Sequence, residues 1–134
     1  MFKSQSLPAI ARLTFAIHIV VAVVIGLALI FIPSTFGGWF GYPPCPAVEP
    51  PLRAFGALLL GFGAVTSLYG LRAKSWERVD YIVRGEITYL ALQTIIFAVS
   101  AVIRSGPLAG NVIFAVVSVI LLALFVATWS ARPK

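Results

Sequence analysis

The residues that most often carry metal and cofactor chemistry are scarce in this chain, which has one cysteine, one histidine and four acidic residues among 134. Because Cys45 is alone, no disulfide can form within the chain and no cage of thiolates can hold a metal. A haem held by two histidines of one chain needs a second histidine beside His18. Zinc and di-iron sites need three or more clustered ligands. No Ser-His-Asp set, phosphate loop or dinucleotide fingerprint is present either, so the sequence predicts no metal site and no catalytic activity of its own.

Charge is the second scarcity. Only 10% of the residues are charged and 60% are hydrophobic, and the mean hydropathy is +1.03, whereas soluble domains are about 25% charged. A helix needs about 20 apolar residues to cross a bilayer. Four segments meet that length, at about 10–32, 53–72, 81–103 and 108–131. The sequence therefore predicts an all-α protein, a single transmembrane domain over 1–134 built as an integral membrane four-helix up-down bundle.

The formal net charge of +6 does not indicate nucleic-acid binding, because the basic residues flank the apolar segments as the positive-inside rule requires. Arg53 and Arg104 lie on one side of the predicted bundle. The other eight lie on the opposite side: Lys3, Arg12, Arg72, Lys74, Arg78, Arg84, Arg132 and Lys134. This bias predicts a multi-pass protein of the cell inner (cytoplasmic) membrane with both termini in the cytoplasm. Membrane lipids are expected partners and nucleic acids are not.

The predicted outer loop over 33–51 holds six of the nine prolines, a density that argues against a regular helix. Four aromatic residues lie close together in it: Phe36, Trp39, Phe40 and Tyr42. Aromatic rings of this kind favour the boundary between membrane and water. The loop is therefore predicted to be an ordered flap that acts as an interfacial anchor, as a lid over a ligand, or as a docking surface for a partner.

The second span carries small residues on one helical face. Gly56, Gly63 and Gly70 are seven residues apart and Ser67 lies four after Gly63. In lipid, small residues let two helix backbones approach closely. The pattern predicts a packing helix, whether against the same bundle or against another subunit. The fourth span shows no such pattern and is predicted to be the most lipid-exposed helix, without a site.

Two ionisable groups inside the spans, His18 and Glu86, are functional candidates because such groups are expensive in lipid. Both are predicted to lie about 8 Å inside the inner half of the bilayer. Neighbours at a similar depth complete a candidate polar pocket of Thr14, His18, Ser67, Tyr69, Glu86, Tyr89 and Gln93. A His–Glu pair there could relay protons or hold a quinone head. The two groups could instead be satisfied structurally by their neighbours or pair with residues of another subunit.

The second span opens with Arg53-Ala54-Phe55-Gly56, followed by Gly61, after a first span that ends Phe31-Ile32-Pro33. With the loop that carries Trp76 before the third span, this layout resembles the small four-helix membrane proteins of the DoxX-like type. Some DoxX-like proteins are small subunits associated with quinone-linked oxidoreductases, and many have no assigned activity. The resemblance implies an accessory role in a respiratory-type complex and transfers no catalytic residue.

These patterns lead to one expected function and two alternatives. The expected function is an accessory or structural subunit of a larger membrane complex in an energy-converting membrane, of respiratory or photosynthetic type, with other membrane protein subunits as partners. One alternative is a small proton-coupled transporter or quinone-interacting protein that uses Glu86 and His18. The other is a homo-oligomer whose site forms between copies. No cofactor is predicted, although lipid, quinone or pigment could fill gaps between the helices.

Overall fold

A computed structural model describes residues 6–133, and all regular secondary structure within them is helical. Four of the helices are long and apolar enough to cross a membrane, as expected of a multi-pass membrane protein. The elements in chain order are α1 (Ala9–Phe31), α2 (Pro33–Trp39), α3 (Glu49–Leu58), the π-helical segment (Leu59–Val65), α4 (Thr66–Arg72), α5 (Asp80–Val102) and α6 (Leu108–Ser130). The second span is α3, the π-helical segment and α4 in one continuous rod. Lys3 and Lys134, which contributed to the predicted charge bias, lie outside the described residues.

The proline-rich segment over 33–51 is more helical than predicted. Pro33 starts the short helix α2, and Pro50 and Pro51 lie in the first turn of α3. Proline is tolerated there because the first amides of a helix have no intrahelical acceptor to lose. The prolines therefore begin helices in this segment, and only the residues between α2 and the 3₁₀ turn at Pro46–Val48 remain irregular.

α1 lies at the centre of the bundle. It packs against the second span on one side and against α6 on the other, while α5 packs along α6. The short connection between α5 and α6 joins antiparallel neighbours, as predicted, with Phe97 stacked on Phe114 at one end and Arg84 beside Trp129 at the other. The connection before α5 joins two spans that do not pack along their length, because α5 contacts the second span chiefly at α4.

The small-residue face of the second span packs against α1 of the same chain. A Cβ placed on Gly56 would lie 2.6 Å from the Gly26 carbonyl oxygen, and one on Gly70 would lie 2.6 Å from the Phe15 ring. Gly63 faces Ala22 in the same way, at 3.0 Å. Packing within the bundle is therefore the role that the structure assigns to this face. Close backbone approach of this kind is how helices associate in lipid.

The π-helical segment was not predicted from the sequence. Helices of this type occur as short widened turns, often at functional sites, and they displace the regular hydrogen-bond ladder. Thr66 compensates by donating its hydroxyl to the carbonyl oxygen of Phe62 and, at 3.4 Å, to that of Gly63. The widened turn lies in the wall of the cavities described below.

The prediction for the fourth span was wrong. α6 buries Asn111, Ser118, Leu121, Phe125 and Thr128, and α5 has the smallest buried share of the four spans. Apolar composition could not reveal this, because an apolar side chain suits a helix contact and a lipid contact equally well. The interior of the bundle depends on α6.

At the end of the bundle that carries both described termini, aromatic and basic side chains close the interior. Trp76 is buried and packs on Trp129 with 6.0 Å between ring centroids. Arg84 and Arg132 lie over the Trp129 ring at 4.6 and 4.2 Å. Arg84 also pairs with Asp80 at 3.0 Å, and its side chain is 60% exposed.

Candidate functional site

A cavity of about 440 Å³ lies between α1, the second span, α5 and α6, under the lid formed by α2 and the residues up to Val48. Its walls are mainly apolar side chains such as Ile25, Leu59 and Phe114. Small-molecule sites of about 300–1,000 Å³ with apolar walls and a few placed polar groups are common in proteins. This cavity has the size and lining of such a site.

His18 joins three helices at the inner end of the cavity. Its Nδ1 is 2.8 Å from the Ser67 hydroxyl oxygen, and the two groups are hydrogen-bonded. Its Nε2 lies 3.7 Å from the Glu86 carboxylate. The edge of its ring faces Phe125 of α6, with 5.3 Å between centroids. The two ionisable residues of the spans therefore meet in space.

The 3.7 Å between His18 Nε2 and the Glu86 carboxyl oxygen is longer than a hydrogen bond. Both residues are nearly fully buried, with 3% and 8% of their surface exposed. Ser67 occupies one ring nitrogen of His18, so the other is free to face the carboxylate. Glu86 in turn lines a second cavity of about 380 Å³, between the second span and α5. The carboxylate thus keeps acceptor capacity for a molecule in that space.

Tyr89 lies one turn after Glu86 and lines both cavities. Its hydroxyl is buried and has no hydrogen-bond partner within residues 6–133. Gln93, one turn further, lines the larger cavity. Leaving a buried polar group unpaired costs about 1–3 kcal/mol. Three residues of the predicted pocket, Glu86, Tyr89 and Gln93, thus form a stripe on α5 that faces the cavities. The Tyr89 hydroxyl in this stripe lacks a partner that a ligand could supply.

Two residues of the predicted pocket lie elsewhere. Tyr69 is 53% exposed and points away from the bundle, because it lies roughly 200° around the helix from the buried Ser67. Thr14 is buried, yet it faces α6, where it donates to the Leu124 carbonyl at 3.3 Å and accepts from Thr128 at 2.9 Å. Thr14 therefore ties α1 to α6 instead of lining the site.

The lid segment over 33–48 covers the outer end of the larger cavity. Phe36 is buried and lines the cavity, and Phe40 contacts Phe114 with 4.9 Å between ring centroids. The Tyr42 hydroxyl donates to the Asn111 side chain at 2.7 Å. Burial raises the pKa of Tyr42 above its ordinary 10.0. Trp39 differs from the other three aromatic residues, since it is 68% exposed.

Arg53, near the start of the second span, fastens the base of the lid. Its guanidinium donates to the Ile30 carbonyl in the last turn of α1 and pairs with Glu49 at 3.3 Å. Glu49 accepts a further hydrogen bond from Ser34 of α2. The last carbonyls of a helix lack intrahelical donors, so Arg53 satisfies the end of α1 and joins it to α2 and α3.

Sequence reasoning missed the contribution of α6 to the site, which comes from Asn111, Phe114, Ser118 and Phe125. Asn111 and Ser118 are polar residues seven apart in a mainly apolar span, and this spacing was the available signal. Within the described part of the chain, no group of three or more His, Cys, Asp or Glu side chains could hold a metal ion.

Comparisons with protein-family models, with curated proteins and with solved structures found no match to this chain.

Proposed function

We propose that this protein is a multi-pass protein of the cell inner membrane that binds an uncharged amphiphile of the quinone class. The head of that molecule lies against His18, Glu86 and Tyr89, and its apolar part fills the larger cavity. The observation that carries the proposal is the unpartnered Tyr89 hydroxyl beside a buried His–Glu pair, in a cavity with mainly apolar walls.

The chemistry of the cavity favours an uncharged head. A neutral imidazole beside a carboxylate carries one negative charge, and one added proton makes the pair neutral. A neutral ligand leaves the net charge of the pair unchanged. Charges inside a bilayer are otherwise expensive. Quinone carbonyl oxygens can accept hydrogen bonds from the Tyr89 hydroxyl and from a ring N–H of His18. The hydroxyl groups of the reduced form, the quinol, can donate to Glu86. The apolar walls suit an isoprenoid or alkyl tail.

The orientation of the protein follows from its charges. Among the described residues, the basic side chains other than Arg53 and Arg104 lie at the end of the bundle where the described chain begins and ends. By the positive-inside rule that end faces the cytoplasm. The head-group site then lies in the inner half of the bilayer, and the lid lies on the outer surface.

Equilibrium binding to the intact protein tests this proposal. The full chain is reconstituted in lipid nanodiscs, and the uptake of a decyl-substituted benzoquinone is compared with uptake by empty nanodiscs of the same lipid. Saturable binding in excess of the lipid background supports the proposal. Uptake that never exceeds the empty discs contradicts it.

Tyr89→Phe is expected to weaken binding of the benzoquinone without weakening the fold. Loss of one ligand hydrogen bond of about 1 kcal/mol corresponds to roughly fivefold weaker binding. Because the hydroxyl has no partner within the described residues, its removal should leave the thermal midpoint unchanged or raise it. Binding and thermal unfolding are measured on the same preparations.

Tyr81→Phe is the matched control for this change, since Tyr81 lies on the same helix and is 84% exposed. It should behave as the unchanged protein in both measurements. A lower thermal midpoint for Tyr89→Phe with unchanged binding would show that Tyr89 serves the fold and not the ligand.

The accessory-subunit role is a second candidate, favoured by the outward surface of α5. Tyr81 and Val102 at its two ends are 84% and 82% exposed, and Gly85 has no atom within 4 Å of the position a Cβ would take. Such a surface can accept another helix. The proposed partner is an energy-converting complex of respiratory or photosynthetic type, because complexes of both types use quinones.

Gentle extraction from the native membrane tests the accessory role. We expect stoichiometric foreign subunits to migrate with the untagged protein on a native gel, where mass spectrometry identifies them. A protein that migrates alone, or only with copies of itself, would rule out this second candidate while leaving ligand binding intact.

A further inference from the structure

We infer that the ligand reaches its site sideways from the bilayer, through the cleft between the second span and α5, and not through the outer surface. This inference rests on the proposed function and adds the route by which the ligand enters. The cleft is the cavity of about 380 Å³, and it meets the larger cavity at four shared lining residues: His18, Phe55, Leu59 and Tyr89.

The cleft exists because two helices that follow one another in the chain are held apart. α5 packs along α6, the second span packs along α1, and α5 meets the second span chiefly at α4. The space between them is lined by Leu58, Phe62 and Thr66 on one side and by Ile82 and Gly85 on the other. Phe62 and Leu58 at the mouth are 71% and 52% exposed. In a membrane this mouth faces lipid.

The π-helical segment shapes one wall of the cleft. Phe62 and Gly63 belong to this widened turn, and both line the cleft. Irregular backbone is tolerated at membrane depth where it borders a cavity and its polar groups are satisfied. Thr66 provides that satisfaction by hydrogen-bonding the Phe62 and Gly63 carbonyls. The wall thus opens without leaving bare polar groups toward lipid.

The outer route is obstructed by the lid. Phe36 and Tyr42 lie over the cavity, Phe40 packs on Phe114, and the Tyr42–Asn111 hydrogen bond closes the segment onto α6. A Cβ at Gly110 would lie 2.5 Å from the Tyr42 ring, so the lid and α6 are in tight contact. A molecule dissolved in the bilayer need not open this contact if it arrives through the cleft.

The depth of the cleft matches the position of the head-group site. Glu86 lies six residues after Asp80, which begins α5, or about 9 Å along the helix axis. A quinone head lying below the headgroups of the inner leaflet would meet Glu86 and Tyr89 directly. The apolar mouth admits uncharged heads and opposes charged ones, because moving a charge into hydrocarbon costs several kcal/mol.

Gly85→Leu tests the route, since it narrows the mouth where a Cβ meets no atom within 4 Å. Reconstituted protein is mixed with vesicles that carry radiolabelled decyl benzoquinone, captured on resin at successive times, and counted. The narrowed mouth should slow association of the benzoquinone about tenfold, because the ligand can then enter only when the side chains at the mouth move aside. Dissociation should slow in parallel, so the equilibrium affinity is nearly kept.

Gly61→Leu is the control, because Gly61 is equally open and does not line the cleft. Leu58→Trp narrows the mouth from the opposite wall and serves as a second test if Gly85→Leu misfolds. The inference is supported when both cleft variants bind slowly and Gly61→Leu binds at the unchanged rate.

Unchanged rates in both cleft variants would overturn the lateral route while leaving the binding proposal in place. Weaker equilibrium affinity with unchanged association would also overturn it, since Gly85 would then border the bound ligand instead of its path. Absence of binding by the unchanged protein would remove the proposed function, and the route with it.

Discussion

Gly56→Leu is expected to prevent stable folding of the bundle. The Gly56 position lies against the backbone of Gly26, with only 2.6 Å between an added Cβ and the Gly26 carbonyl oxygen. Extra methylenes in a packed interior cost about 1–3 kcal/mol where side chains can shift. A backbone carbonyl in a helix cannot shift without moving α1, so the loss here should exceed that range. Thermal unfolding followed by circular dichroism in detergent micelles measures it.

Gly61→Leu is the control for this prediction as well. Gly61 lies five residues further along the same span and meets nothing within 4 Å. An open surface position should change stability by no more than about 0.5 kcal/mol. Similar thermal midpoints for the two leucine variants would show that α1 and the second span do not pack as the structure places them.

The second large effect is expected at the His18–Glu86 pair. His18→Leu removes the partner of a buried carboxylate and leaves the Ser67 hydroxyl without its ring nitrogen. Leaving a buried polar group without its partner costs about 1–3 kcal/mol of stability. Binding of the benzoquinone should fall by at least about fivefold, because a ligand hydrogen bond contributes about 1 kcal/mol. Denaturant unfolding and nanodisc binding measure the two effects.

A double-mutant cycle separates the pair from its surroundings. His18→Leu combined with Glu86→Leu should be more stable than His18→Leu alone, because no buried carboxyl group remains without a partner. Additive losses from the two single changes would show that the residues are not coupled. Ligand binding should stay weak in the double variant even where the fold recovers.

The exposed pair Arg84–Asp80 is the comparison for this cycle. It is shorter than the buried pair, at 3.0 Å against 3.7 Å, but the Arg84 side chain is 60% exposed. Exposed ion pairs contribute about 0–1 kcal/mol. Arg84→Leu should therefore change stability little, because solvent exposure and not distance decides which pair matters.

The two large effects meet on one helix. α1 presents Gly26, Ala22 and Phe15 to the second span, and His18 lies on the same side between them, hydrogen-bonded to Ser67. The site is thus built into the principal helix contact of the bundle. A change that loosens the glycine contact should also displace His18 from Glu86, so binding measurements on packing variants need a stability control.

The amino-acid sequence alone determined the helical class and the number of spans, because both depend on the length and apolarity of uninterrupted segments. It also indicated the packing face, since Gly56, Gly63 and Gly70 repeat at the helical period. The stripe from Glu86 to Gln93 followed for the same reason. These are properties of a single helix, and periodicity along the chain is enough to predict them.

The tertiary structure decided how the helices meet. Only it could place His18 beside Glu86, turn Tyr69 outward, and give α6 a share of the interior through Phe125 and Asn111. Contacts between spans depend on helix order and rotation, and in lipid an apolar residue serves a helix interface and a lipid contact equally well. The cleft between the second span and α5 arises in this way, because α1 and α6 hold apart two helices that a short loop connects.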